Sequence, residues 1–409
     1  MRHLYPLLCL IAGPLAGQVQ TIVPAFDTVT VEYDFYEPPY VHRATALDTG
    51  REGYERSLSG NWLSFSGHDR DARTVMDQSR FRPAMDTARY ERFRDSFQAV
   101  PAVKSLLTDA ERHEIMIVNE AHHEPRHRVF ARQLLRGLYA RGYRHLGVET
   151  LLPGPVGDSL LRTMPYPTLG SGYYTRDPQF AAMVHEARVI GFRLFGYEAD
   201  HEAGDGPRER ETKQMQNIVA YRGRHPEGKL LLYVGYSHAT EGELGGQWDR
   251  AMAQRLADTT GLDPLTVNQT DFRELGYPKQ EAYEYRLADP ELPVVFTDAA
   301  GTAWGFGDGI HWFDRYVFHP RSTYRYGRPD YVYTFGRRPV LLDLSNVGVA
   351  GPYLIQAYRT GDDITSAVPR DVVEMKAPEE RALALSPGDY TLLLTTPDRE
   401  QYIARVMVR

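Results

Sequence analysis

Residues 114–125 read Glu114-Ile115-Met116-Ile117-Val118-Asn119-Glu120-Ala121-His122-His123-Glu124-Pro125. The apolar run at the start is too short for a buried helix and reads as a buried strand. Pro125 opens a helix in which Phe130, Leu134 and Leu138 recur every four residues until Gly142 ends it. Three more runs repeat the pattern. Residues 145–148 lead to Glu149, residues 192–197 to Glu198 and Asp200, and residues 229–235 to His238. Helical patterns opening at Asp177-Pro178, at Pro207 and near Trp248 fill the intervals. Such βα alternation predicts an α/β fold, a mostly parallel sheet with flanking helices and right-handed crossovers. Residues 265–268 and 294–297 are expected to add strands to it. Ligands of such sheets bind beyond the carboxyl ends of the strands, so the ionisable residues that end these runs should share one crevice.

Outside this core the chain divides into three further parts. Residues 1–17 have the charged start, short apolar stretch and small-residue exit of a secretory signal peptide, which implies an exported, periplasmic or extracellular protein. Residues 18–100, with a strand-like alternation at 28–33 and a helical pattern at 84–97, are expected to form an extension packed on the main domain. The site-bearing domain then runs over 101–333, and residues 334–409 alternate in β fashion, which predicts a C-terminal antiparallel β-sandwich-like domain. Between 301 and 338, aromatics and glycines crowd together, either as a lid over the crevice or as irregular packing.

Composition removes several classes of function. A net charge of −7, without a Lys/Arg cluster, argues against a nucleic-acid partner. Cys9 is the only cysteine and lies in the signal-like segment. Cleavage there would leave a chain with no disulfide and no thiolate ligand, so any metal would rest on His, Asp, Glu or Asn. No run beyond that segment is long enough to span a membrane. Gly-x-Ser-x-Gly, Walker, dinucleotide-binding and His-Glu-x-x-His motifs do not occur. Arg112-His113-Glu114 lacks a second histidine at the required spacing, and Asn268-Gln269-Thr270 matches a glycosylation acceptor, a weak pattern.

A carboxylate within three residues of an imidazole, on a turn leading into a helix, can orient that imidazole or share a metal with it. Glu120, His122 and His123 meet that condition, although a histidine there can also simply cap the helix. Glu149 ends an apolar strand, where a buried carboxylate is costly unless a cation or metal faces it. Glu198 and Asp200 are weaker candidates, since acidic loops after strands are often only turns. Gly235 lets the backbone bend so that His238 can face the crevice. Arg210, Gln214 and Asn217 fall on one helix face, commonly a solvated one.

Together, Asn119 to His123, Glu149, the helix from Arg210-Glu211 to Asn217, and Gly235-Tyr236-Ser237-His238 resemble the superfamily that contains the erythromycin esterases, the ChaN-like haem-binding proteins and the Tiki/TraB metalloproteases. The resemblance covers about residues 101–240. Its esterase branch implies Glu120 and His123 as catalytic pair, with Arg210, Glu211, Asn217 and His238 following. In the other two branches the histidine stands three residues after a glycine, which selects His122; Asn119 replaces that glycine here, so the choice between His122 and His123 stays open.

Three chemistries are implied. In the first, His123 is general base on a water oriented by Glu120, with Arg210 and His238 stabilising the oxyanion. In the second, His122, Glu149 and His238 hold a divalent metal. In the third, these histidines or Tyr236 ligate haem iron. Hydrolysis of a small-molecule or peptide ester or amide is the leading expectation, with metal or haem uptake as the alternative.

Overall fold

The computed structural model describes residues 19–33, 39–49, 53–78, 80, 84–199, 206–305, 312–376 and 381–409. Residues 1–17 and Asp200 lie outside the described residues. Strands β1 (Ile115–Glu120), β2 (Tyr143–Pro153), β3 (Arg193–Gly196), β4 (Lys229–Gly235), β5 (Leu265–Asn268) and β6 (Arg315–Tyr316) form one sheet in the order β6-β5-β1-β4-β2-β3. Every neighbouring pair is parallel.

Helices cover both faces. They are α1 (Pro125–Ala140), α2 (Gly154–Thr163), α3 (Pro178–Ile190), α4 (Pro207–Arg224) and α5 (Met252–Thr260). On β1, Met116 and Val118 pack into the core that holds Leu134, Leu138, Phe180 and Val184 of α1 and α3. Ile115 and Ile117 point the other way, into the core with Met215, Ile218 and Leu256 of α4 and α5. A strand buried on both sides has no polar face to show, which explains the unbroken apolar run.

Local chemistry starts and stops the helices. Asp177 accepts from the amides of Gln179 and Phe180 at 2.9 Å, and Gly191 at φ +117° ends α3. In α4, Pro207 takes the first turn and Glu209 reaches back to the Gly206 amide at 3.0 Å.

Residues 265–268 join the sheet as expected. Val294–Thr297 does not. It pairs antiparallel with Gln98–Pro101, because β6 already occupies the free edge beside β5. Part of the aromatic stretch is core: Trp304 and Phe318 pack with Phe93 and Phe296, ring centroids 4.7–5.8 Å apart, whereas Trp312 and Phe335 are exposed.

The C-terminal region holds two sheets around one apolar core of Val340, Leu383 and Leu385 against Ile355, Leu392 and Leu394. Five antiparallel strands run in the order Asp371–Met375, Tyr353–Arg359, Gly388–Thr395, Gln401–Val408 and Asp27–Val29. The other sheet sets Arg338–Leu342 antiparallel to Ala382–Leu385 and parallel to Gln20–Ile22. The first described strands therefore complete the last sheets. Among the described residues no helix is long and apolar enough to cross a membrane.

Candidate functional site

The carboxyl ends of β1, β2 and β4 and the segment after β3 converge. Glu120, the last residue of β1, is buried, with both oxygens accepting from Arg128 of α1 at 2.8 and 2.9 Å. Arg128 is fully buried, stands 3.2 Å from Asp177 and also donates to the His122 carbonyl at 2.6 Å. Burial alone would raise the Glu120 pKa, but Arg128 and His122 outweigh it and hold the carboxyl below its ordinary value. The second partner is His122, whose Nδ1 lies 3.0 Å from Glu120 Oε1. Its ring stacks on Tyr174 with centroids 3.7 Å apart and meets Tyr236 edge-on at 5.0 Å. Nε2 of His122 makes no hydrogen bond among the described residues, and its side chain is 14% exposed. One nitrogen is fixed and the other is free.

Across from it, Glu149 Oε2 accepts from the Gly235 amide at 2.5 Å, and Oε1 accepts from Arg210 at 2.6 Å. His238 Nε2 stands 3.4 Å from Glu149 Oε1 and 3.0 Å from Arg210 Nη1. Burial would raise the Glu149 pKa, yet His238, His122, Arg210 and the Gly235 amide together hold it down at about 2. The other His238 nitrogen lies 2.6 Å from Glu211 Oε1, and Glu211 in turn accepts from the Met252 amide at the start of α5 at 2.7 Å. Burial lowers the His238 pKa, but Glu149 and Glu211 more than offset it, so the value is raised. A neutral ring accepts from Arg210, whereas a protonated ring turns its Nε2 proton towards Glu149.

The polar face of α4 is engaged with the end of β3 rather than left free, with Gln214 buried and Asn217 exposed. Arg210 also pairs with Glu198, Gln214 donates to Glu198 at 3.0 Å, and Asn217 donates to the Tyr197 and Glu198 carbonyls at 3.1 and 3.2 Å. Glu211, one residue along, is wholly buried. The helix therefore fixes both the acidic end of β3 and the ring of His238.

His123 points elsewhere. It is 2% exposed, with Nδ1 3.2 Å from the Tyr236 hydroxyl and Nε2 3.4 Å from Arg273. Burial, then Arg273, Arg80 and Arg73, push its pKa well below the usual value. The histidine that reaches the crevice is His122. Asn119 explains how the turn forms without glycine: its amide donates to the Tyr236 carbonyl at 2.7 Å and accepts from the Gln269 amide at 2.7 Å, which ties the ends of β1, β4 and β5 together. Tyr236, so held, sits at φ +37°, a strained conformation for a bulky residue.

A divalent ion shared by His122, Glu149 and His238 does not fit this donor set. Arg210, itself a cation, bridges Glu149 and His238 and fills the place between them. Among the described residues no group of three His, Cys, Asp or Glu is arranged to hold a metal. Nor is Tyr236 offered as an iron ligand, since its hydroxyl turns inward to His123.

Arg128, Asp177 and Tyr174 are the site residues that sequence reasoning missed. Arg128 carried a signal: at three, seven and ten residues before Ala131, Leu135 and Leu138 it falls on the buried face of α1, where a charge needs a partner. Tyr174 carried none, because it arrives on a loop.

No family model and no curated protein matches the chain. Among solved structures, part of the chain is similar to bacterial effector and toxin domains and to ChaN. The type III effector HopBA1 is 11% identical, with 56% of this chain and 99% of that one covered and a TM-score of 0.35. ChaN of Campylobacter jejuni, described as binding haem cofacially, is 10% identical over 55% and 97%, with a TM-score of 0.30. RRSP, a MARTX toxin effector domain from Vibrio vulnificus, is 16% identical over 51% and 45%, with a TM-score of 0.29. Likenesses at these scores bear on no functional question.

Proposed function

We propose that the crevice hydrolyses an ester or amide by general-base activation of water. The observation that supports this most is the Arg128–Glu120–His122 chain, which fixes one imidazole nitrogen and leaves the other free. In this reading His122 Nε2 takes a proton from water while the water oxygen bonds to the substrate carbonyl carbon. Glu120 stabilises the imidazolium that forms, and Arg128 keeps Glu120 ionised.

The developing oxyanion is met by Arg210, a guanidinium held in place by Glu149 and Glu198. His238, with its pKa raised by Glu149 and Glu211, hands a proton to the leaving oxygen or nitrogen as the carbonyl–leaving-group bond breaks. The proton on His122 then restores His238 through solvent. No step calls on a metal or haem.

The test is hydrolysis of a panel of chromogenic esters and anilides in ¹⁸O-labelled water. Expected are turnover, incorporation of a single ¹⁸O into the acid product, and a loss of about 10²–10⁴-fold in His122→Asn. Absence of hydrolysis across the panel, or equal rates in His122→Asn, contradicts the proposal.

A further inference from the structure

Beside the polar crevice lies an apolar cavity of about 220 Å³. Its walls include Leu152, Leu160, Leu161, Met164, Thr168 and Ser171. The polar atoms among them are spent on one another: the Ser171 hydroxyl accepts from the Thr168 amide at 2.9 Å, contacts the Thr168 hydroxyl at 3.2 Å and lies 3.5 Å from the Met164 sulfur. What remains to line the space is mostly hydrocarbon. The volume exceeds the roughly 150 Å³ of an apolar cavity that stays dry and takes up a benzene ring. Leu152 and Leu160, 43% and 53% exposed, stand at the mouth.

Cavity and crevice share two pieces of chain. Leu152 is three residues after Glu149 on β2, so no more than about 11 Å of backbone separates them. Ser171 is three residues before Tyr174, the ring stacked on His122. The two pieces are fastened together at Thr150, whose hydroxyl accepts from the Tyr174 amide at 3.1 Å. Its carbonyl packs so closely on Gly172 that a Cβ there would lie 1.9 Å from the oxygen. This seam is the stretch of chain that cavity and crevice have in common.

We infer that the cavity is a subsite for an aliphatic chain, so that the substrate is an ester or amide carrying an alkyl or acyl arm of medium length. The placement of its carbonyl rests on the hydrolytic reading above; the chain-binding subsite does not. The crevice itself is built largely of carboxylates, guanidinium groups and imidazoles, with the Tyr174 and Tyr236 rings beside His122, so among the described residues the cavity is an aliphatic wall for the apolar arm of such a substrate. The same chain chemistry occurs in soluble esters and in membrane lipids, and we assign the soluble form, because about 220 Å³ is room for one medium-length chain and not for the two of a membrane lipid.

The test separates binding from turnover. Displacement of a dansyl-labelled undecanoate by butanoate, octanoate and octanol reads the cavity directly, and a p-nitrophenyl ester series from acetate to decanoate reads its coupling to hydrolysis. Expected are tighter binding and a rise in kcat/KM of about fourfold per methylene until the cavity is full. Leu160→Asp, at a half-exposed position, and Gly170→Leu, where a Cβ meets only Thr168 Oγ1 at 3.9 Å, should each weaken octanoate binding at least tenfold. His122→Asn should leave that binding unchanged. Chain binding without any hydrolysis would refute the hydrolytic reading and keep the subsite. Hydrolysis indifferent to chain length, probe binding unaffected by both cavity variants, or binding to phosphatidylcholine vesicles but not to octanoate would overturn the subsite.

Discussion

Gly235 stands where His122 needs room: a Cβ there would lie 2.4 Å from Cε1 and 2.5 Å from Nε2 of the imidazole. The backbone at the end of β4 thus presses against the nitrogen of His122 that makes no hydrogen bond among the described residues. Gly235→Ala should push the ring off its position, and a displacement of the order of 1 Å costs about 10²-fold in rate. Because the side chain that must yield is partly exposed, folding should suffer less than catalysis. Comparing kcat/KM with the urea midpoint checks this; a variant with full activity would show that the ring position is immaterial.

Arg128→Met should lower stability by about 3–5 kcal/mol, because it leaves Glu120 and Asp177 buried without their shared cation. The double variant Glu120→Gln with Arg128→Met should recover part of that loss. Denaturant unfolding at neutral pH measures both, and a single variant within 1 kcal/mol of the parent would contradict the assignment.

Asn119→Ala strips partners from the Tyr236 carbonyl and the Gln269 amide. With roughly 1–3 kcal/mol for each buried group left unsatisfied, a loss of about 3 kcal/mol is expected. Hydrogen exchange should also speed up at the ends of β4 and β5. Unchanged exchange at Gln269 would show that Asn119 does not clamp these strands.

Two groups set opposite limits on pH stability. Glu149 has its carboxyl depressed to about 2, so its contribution is present above the unfolded value near 4.5 and is lost as pH falls from there towards 2. For His238, whose pKa is raised, the contribution is full below about 6.5 and is lost as pH rises through the folded value. Glu149→Gln should flatten the acid limb by up to about 1.4 kcal/mol per pH unit. Unfolding free energies measured from pH 2 to 9 decide the matter; an unchanged acid slope would mean that Glu149 is not the group responsible.

The sheet was legible because burial on both faces leaves a strand no polar side, and each run announced itself before a helix start. Its termini were readable for the same reason: Glu120, Glu149, Glu198 and His238 break apolar runs, and the structure brings all four to one rim. Less was legible where pairing is long-range. Gln20–Ile22 and Asp27–Val29 carry nothing that ties them to strands more than three hundred residues later. The choice between His122 and His123 also lay beyond the sequence, since two adjacent imidazoles on a turn point apart in directions set by contacts from distant segments, Tyr174 for His122 and Tyr236 and Arg273 for His123. Arg210 was expected at the oxyanion, yet its bridging of Glu149 and His238, which closes the metal option, depends on the approach of α4 and not on any spacing.

The most direct test sets His122→Asn beside His123→Asn in the same ester-hydrolysis assay, with folding verified by circular dichroism. His122→Asn should lose about 10²–10⁴-fold in kcat/KM, while His123→Asn, whose ring faces Tyr236 and Arg273, should keep activity within tenfold. The reverse order, with His123→Asn inactive and His122→Asn active, would contradict the assignment of His122 as the base.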